Sequence, residues 1–159
     1  MKNDLIQHYI SELSEFMQGD PWVDETFAKK LASINENNAF IRPIPNIHSV
    51  AEVISHLLEW RLCILSYLRG GSRTLRDSDA ANWRTNVELS QIGWQSLLAV
   101  FYKSQEEIID LLKTKDDQFL SEIALGETHQ LKYYVDGLLQ HDMYHLGQIG
   151  LIIKLLNSR

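Results

Sequence analysis

His141 and His145 stand four apart in His141-Asp142-Met143-Tyr144-His145, inside the last strongly periodic apolar stretch of the chain. On a helix, residues at this spacing share a face with Cβ atoms about 6 Å apart, so both imidazoles can converge on one cation. Two ligands make a weak site. The third is expected from His56, in Val53-Ile54-Ser55-His56-Leu57-Leu58-Glu59-Trp60, another segment of helical apolar spacing. A lone histidine on such a face is usually a hydrogen-bonded core or boundary residue. A crowded pair is different, because a metal satisfies both neutral nitrogens at once.

Three neutral nitrogen donors would leave roughly one to three coordination positions open, the catalytic rather than the structural pattern. A divalent ion held this way could activate water for hydrolysis near neutral pH. It could instead hold a small thiol cofactor as thiolate, ready to attack an electrophile. If packing blocked the open positions, the site would only stabilise a binding bundle. Imidazole is compatible with zinc, nickel, iron or manganese, and the sequence does not choose among them.

Around these histidines, Glu52 lies four residues before His56 and could orient its ring, though a capping role with Ser49 is the commoner use. Glu59, one turn after His56, either orients that ring or is solvated. Gln148, one turn after His145, either bonds a ligand or water or bridges two helices. Asp142 and Tyr144 must point away from the metal direction and are assigned to contacts with neighbouring helices. His48 reads as boundary packing, His8 and His129 as surface residues, and Trp60, Trp83 and Trp94 as core or pocket wall. The single cysteine, Cys63, could reach the pocket but reads as buried packing. No residue is assigned as a catalytic acid or base.

These side chains need helices to carry them. Leu5, Ile6, Tyr9, Ile10, Leu13 and Phe16 give a first helix from about Asn3 to Met17, stopped by Gly19-Asp20-Pro21. A second helical pattern, from Trp22 to about Ile34, reads as a short extra helix. Arg42-Pro43-Ile44-Pro45-Asn46 is an extended connector. Ser49 and Glu52 form a capping box that starts a helix running to Arg69, before Gly70-Gly71. Residues 72–87 read as a long loop containing one helical turn, with Trp83 as its only large anchor, and Glu88 to Lys113 as a third bundle helix tolerating Gly93. A connector follows, with a short strand or turn around Phe119 to Leu125. The last helix begins between Thr128 and Tyr133 and ends near Asn157. Gly137, Gly147 and Gly150 within it suggest close packing against another helix. The expected fold is an all-α four-helix bundle with a long connection between the second and third bundle helices, one domain over residues 1–159.

Composition narrows the function. With 45% hydrophobic residues the chain can build a sizeable core. No apolar run reaches the ~20 residues a membrane span needs and the start lacks a signal-peptide core, so a cytoplasmic protein without a membrane partner is expected. One cysteine excludes an internal disulfide and a thiolate-rich zinc site, leaving nitrogen and oxygen as ligands. A net charge of -6 with scattered lysines and arginines argues against nucleic acid. Neither a Gly-rich phosphate loop nor a Gly-x-Ser-x-Gly elbow is present.

The segment Ser49-Val50-Ala51-Glu52-Val53-Ile54-Ser55-His56-Leu57-Leu58-Glu59-Trp60 resembles the second-helix motif of the DinB/YfiT-like superfamily of metal-binding four-helix bundles. His141-Asp142-Met143-Tyr144-His145-Leu146-Gly147-Gln148-Ile149 resembles that family's fourth-helix motif. Order and separation match, and Trp83 and Trp94 resemble positions where members often carry tryptophan. The resemblance covers most of the chain after about Ile47. It implies divalent-metal ligation by His56, His141 and His145, and a homodimer. For activity it implies metal-dependent hydrolysis of a small molecule, or transfer to a low-molecular-weight thiol such as bacillithiol.

Overall fold

A computed structural model describes residues 3–158. Its helices are α1 (Asp4–Gln18), α2 (Phe27–Leu31), α3 (Val50–Leu68), α4 (Asn86–Ile92), α5 (Trp94–Lys113) and α6 (Leu131–Asn157), with 3₁₀ turns at Ala80–Trp83 and Phe119–Ser121. Among the described residues there is no strand, only an isolated bridge between Ile123 and Gln130. The long helices α1, α3, α5 and α6 form the bundle. α3 packs against α5 and α6, and α1 packs against the same two helices.

Local chemistry sets most helix ends. The α3 start is a reciprocal capping box: Ser49 Oγ accepts from the Glu52 amide at 3.1 Å, and Glu52 Oε2 accepts from the Ser49 amide at 2.8 Å. Its end is a Schellman turn, in which Gly70 at φ +80° lets the Gly71 amide reach the Ser66 carbonyl at 2.8 Å. Two other helix starts borrow distant carboxylates. Asp117 accepts from the Leu5 and Ile6 amides of α1, and Glu36 accepts from the Trp94 amide of α5 at 2.7 Å. Such acceptors satisfy N–H groups that a helix cannot pair internally.

Several sequence expectations shift. The helix expected through Gly93 is two helices, because Gly93 takes φ +84°, a conformation other residues rarely adopt. Ile92 and Val100, whose spacing fits an apolar helical stripe with Leu97, Phe101 and Ile108, are exposed. The segment expected to be helical from Trp22 turns instead at Pro21–Asp24, leaves Trp22 99% exposed, and is helical only from Phe27. The strand or turn around Phe119 is a 3₁₀ turn followed by the isolated bridge. Close helix packing does not explain Gly137 or Gly147, where an added Cβ would meet nothing within 4 Å; at Gly150 it would meet the Lys30 side chain at 3.3 Å.

The core has two apolar clusters. One gathers Phe27, Leu57, Trp94 and Phe101, the other Ile6, Leu13, Ile108 and Leu138. Along α3 the first cluster runs to Leu58 and the second takes over at Cys63. Arg61, fully buried, falls between them. Among the described residues no helix is long and apolar enough to cross a membrane.

Candidate metal centre

His56 sits about two turns into α3, and α6 runs beside it so that His141 and His145 face it from successive turns. The three rings meet edge to face, with centroids 4.9 Å apart for His56 and His141, 4.8 Å for His56 and His145, and 4.5 Å for His141 and His145. One ring nitrogen from each lies within 4.8 Å of the others. His56 Nε2 and His141 Nε2 are 2.9 Å apart, close to the separation of two ligands on one ion with metal–nitrogen bonds of about 2.0–2.1 Å.

The outer nitrogens fix which lone pairs face inward. The Asn82 carbonyl lies 2.9 Å from His56 Nδ1 and can only accept, so Nδ1 carries the proton and Nε2 is left as a donor to a metal. Gln148 Oε1 lies 2.7 Å from His145 Nδ1 and orients that ring in the same way. Burial drives all three imidazoles toward the neutral form. It is the main cause that pushes His141 down to about 3, reinforced by His145 and His56, and His145 down to about 4. His56 is lowered too, again chiefly by burial, with the Asn82 contacts pulling the other way. Neutral imidazoles with inward lone pairs are the donor set a divalent metal requires, so these residues fit the ion.

The long connection between α3 and α4 is part of this centre. Its 3₁₀ turn supplies the Asn82 carbonyl and slides Trp83 between two imidazoles, 3.9 Å from the His48 ring and 4.0 Å from the His56 ring, both nearly parallel. Asn82 also accepts from Trp60 Nε1 at 3.0 Å and donates to the Asp77 carbonyl at 3.1 Å, which ties the loop to α3. Trp83 is visible in the sequence as the loop's one large side chain, whereas Asn82 is not, because a main-chain acceptor leaves no residue-type signature.

The flanking carboxylates have other duties. Glu52 spends one oxygen on the capping box and pairs with Arg42 at 2.5 Å, and Glu59 pairs with Arg84 at 2.8 Å; neither orients His56. Asp142 turns away from the histidines, as expected, and meets Arg61 of α3 at 2.7 Å. Tyr144 is exposed, with its ring edge toward His145, rather than packed on another helix. Arg61 is the one arginine or lysine in the Val50–Leu68 run, and that isolation is the sequence signal of its buried pairing. His8 and His129 lie on the surface, and His129 stacks on Tyr133.

A cavity of about 570 Å³ opens from His56 and His141. Trp60, Cys63, Ile64, Tyr133 and Tyr134 form much of its wall, and Arg73, Asp77 and Asp136 give its charged groups. Cys63 is fully buried and lines it, so packing and pocket coincide at this residue.

Three buried or half-buried histidines thus converge from two helices of the bundle beside an open cavity, an arrangement able to hold a metal ion. The chain belongs to the DinB superfamily, whose family model matches residues 22–149. Its fold is also similar to a crystal structure of a conserved protein from Enterococcus faecalis, with a TM-score of 0.69 and 17% identity over 100% of this chain and 99% of that one. No curated protein matches.

Proposed function

We propose that this protein is a metal-dependent hydrolase acting on a small molecule in the cavity beside the histidine cluster. The observation that carries the reading is the coincidence of three neutral imidazoles with a cavity of about 570 Å³ that reaches two of them. A structural site would be closed by protein; this one faces space large enough for a substrate. A divalent ion bound by His56, His141 and His145 would supply Lewis acidity, polarising a substrate oxygen and lowering the pKa of water.

The chain's own residues do the rest. Asn82 and Gln148 hold two of the imidazoles in fixed tautomers, so the donors are oriented before any ligand arrives. Trp83 covers the flat face of His56, while Trp60 lines the cavity with its ring edge-to-face to His141. The aromatic wall then positions the apolar part of the substrate. The same cavity also supports a second reading, activation of a small thiol, since its volume accommodates a cofactor-sized molecule.

The test is turnover of a panel of esters, amides and thiol-reactive electrophiles by metal-reconstituted protein, with and without added thiols. Hydrolysis that needs metal and is lost in His141→Ala supports the first reading, and turnover only with thiol supports the second. No metal-dependent turnover in either arm, with metal bound, would leave a non-catalytic metal site.

A further inference from the structure

The cavity's charged groups are unevenly committed, and we propose that it selects an elongated, flat organic molecule whose carboxylate binds Arg73 at the end away from the histidines. This deepens the reading of the cavity as a substrate site, but does not itself require the metal. Tyr67 follows His56 by eleven residues on α3, which separates them by roughly 16 Å along the helix axis. Arg73 is anchored beside Tyr67: its Nε donates to the Tyr67 hydroxyl at 3.1 Å and lies 3.3 Å from Glu127 Oε1. The Tyr67 hydroxyl in turn donates to Glu127 at 2.5 Å.

Those contacts use only the Nε edge. Among the described residues, the two Nη groups of Arg73 have no partner, and a guanidinium edge of this kind matches a carboxylate through paired N–H donors. The other two charges do not compete at that end. Asp136 is spent, accepting from Tyr9 at 2.5 Å and from Lys132 at 2.7 Å. Asp77 belongs to the histidine end, since its carbonyl accepts from the same Asn82 that holds His56. The walls between the ends are flat and apolar, from Trp60, Ile64, Tyr133 and Tyr134, and Gly137 leaves space where a Cβ would meet nothing within 4 Å. With a net charge of -6, the chain as a whole repels anions, and Arg73 is the one arginine or lysine among the residues that line the cavity.

The experiment is calorimetric binding of a phenyl-capped hexanoate, its uncharged amide and the corresponding amine, to wild type and Arg73→Met, with metal content measured on each sample. The carboxylate should bind at least about tenfold tighter than the amide, and Arg73→Met should erase that preference by weakening the carboxylate far more than the amide. Equal affinity of carboxylate and amide, or tightest binding of the amine, would overturn the proposal. So would a preference that survives Arg73→Met and disappears on chelation, which would place the carboxylate on a metal. An Arg73-dependent preference in protein that binds no metal would sink the hydrolase reading and leave this one standing; bound metal without the preference would do the reverse.

Discussion

Two polar groups are buried between α3 and α6, and they solve the same problem in opposite ways. Asp142 follows His141 directly, yet the turn of α6 sends His141 toward the cavity and Asp142 into the core. There it meets Arg61, whose guanidinium lies 4.0 Å from the centroid of the Phe101 ring. That pair neutralises itself inside the protein. Burial pushes the Asp142 carboxyl up while Arg61 pulls it back. The histidine cluster instead carries no charge and offers lone pairs to whatever enters. A buried polar group with its partner in the chain serves register; one whose partner is missing from the chain marks a ligand site.

The sharpest way to break this contrast is to remove one member of the sealed pair. Arg61→Ala strands a buried carboxylate and should cost about 3–5 kcal/mol in urea unfolding, whereas Arg61→Met with Asp142→Leu should recover most of it. A single variant as stable as wild type would show that the pair does not hold α3 against α6. If the double variant folds but binds metal poorly, the pair sets the rotation of α6 that aims the histidines.

The next largest effect is acid sensitivity of the metal-free protein. His141 at about 3 and His145 at about 4 stay neutral in the fold, while in the unfolded chain histidine titrates near ~6.5. Between those values the unfolded chain binds more protons, so stability rises with pH across the window and falls as pH drops from ~6.5 toward 4. A loss on the order of 2 kcal/mol per histidine is expected between pH 7 and pH 5. Replacing both histidines with leucine should flatten that slope, and a slope unchanged by the replacement would assign the acid sensitivity elsewhere.

The smallest effect is expected at Gln148. Gln148→Leu removes the acceptor at His145 Nδ1 and should weaken metal binding about tenfold, with little change in the stability of the metal-free protein. Unchanged metal affinity would mean that this contact only bridges turns of α6.

Much of this was legible in the residues themselves. The capping box of α3 and the i, i+4 histidine pair are local patterns, and the bundle follows from apolar periodicity. What escaped the sequence depends on long-range partners or on main chain. Gly93 reads as a tolerated helix residue until Glu36, distant in sequence, is seen to cap the helix that restarts after it. Asn82 acts through its carbonyl, which every residue possesses. Glu52 and Glu59 look like groups for orienting His56 because spacing shows which face a side chain occupies, not that Arg42 and Arg84 arrive there to claim them.

The most direct test of the central claim is the metal content, by mass spectrometry, of protein purified without an affinity tag, wild type beside His56→Ala. The account expects a near-stoichiometric divalent metal in wild type that is lost from the variant while its fold persists. Equal metal in both, or none in either after reconstitution with zinc, nickel, manganese and iron, would contradict it.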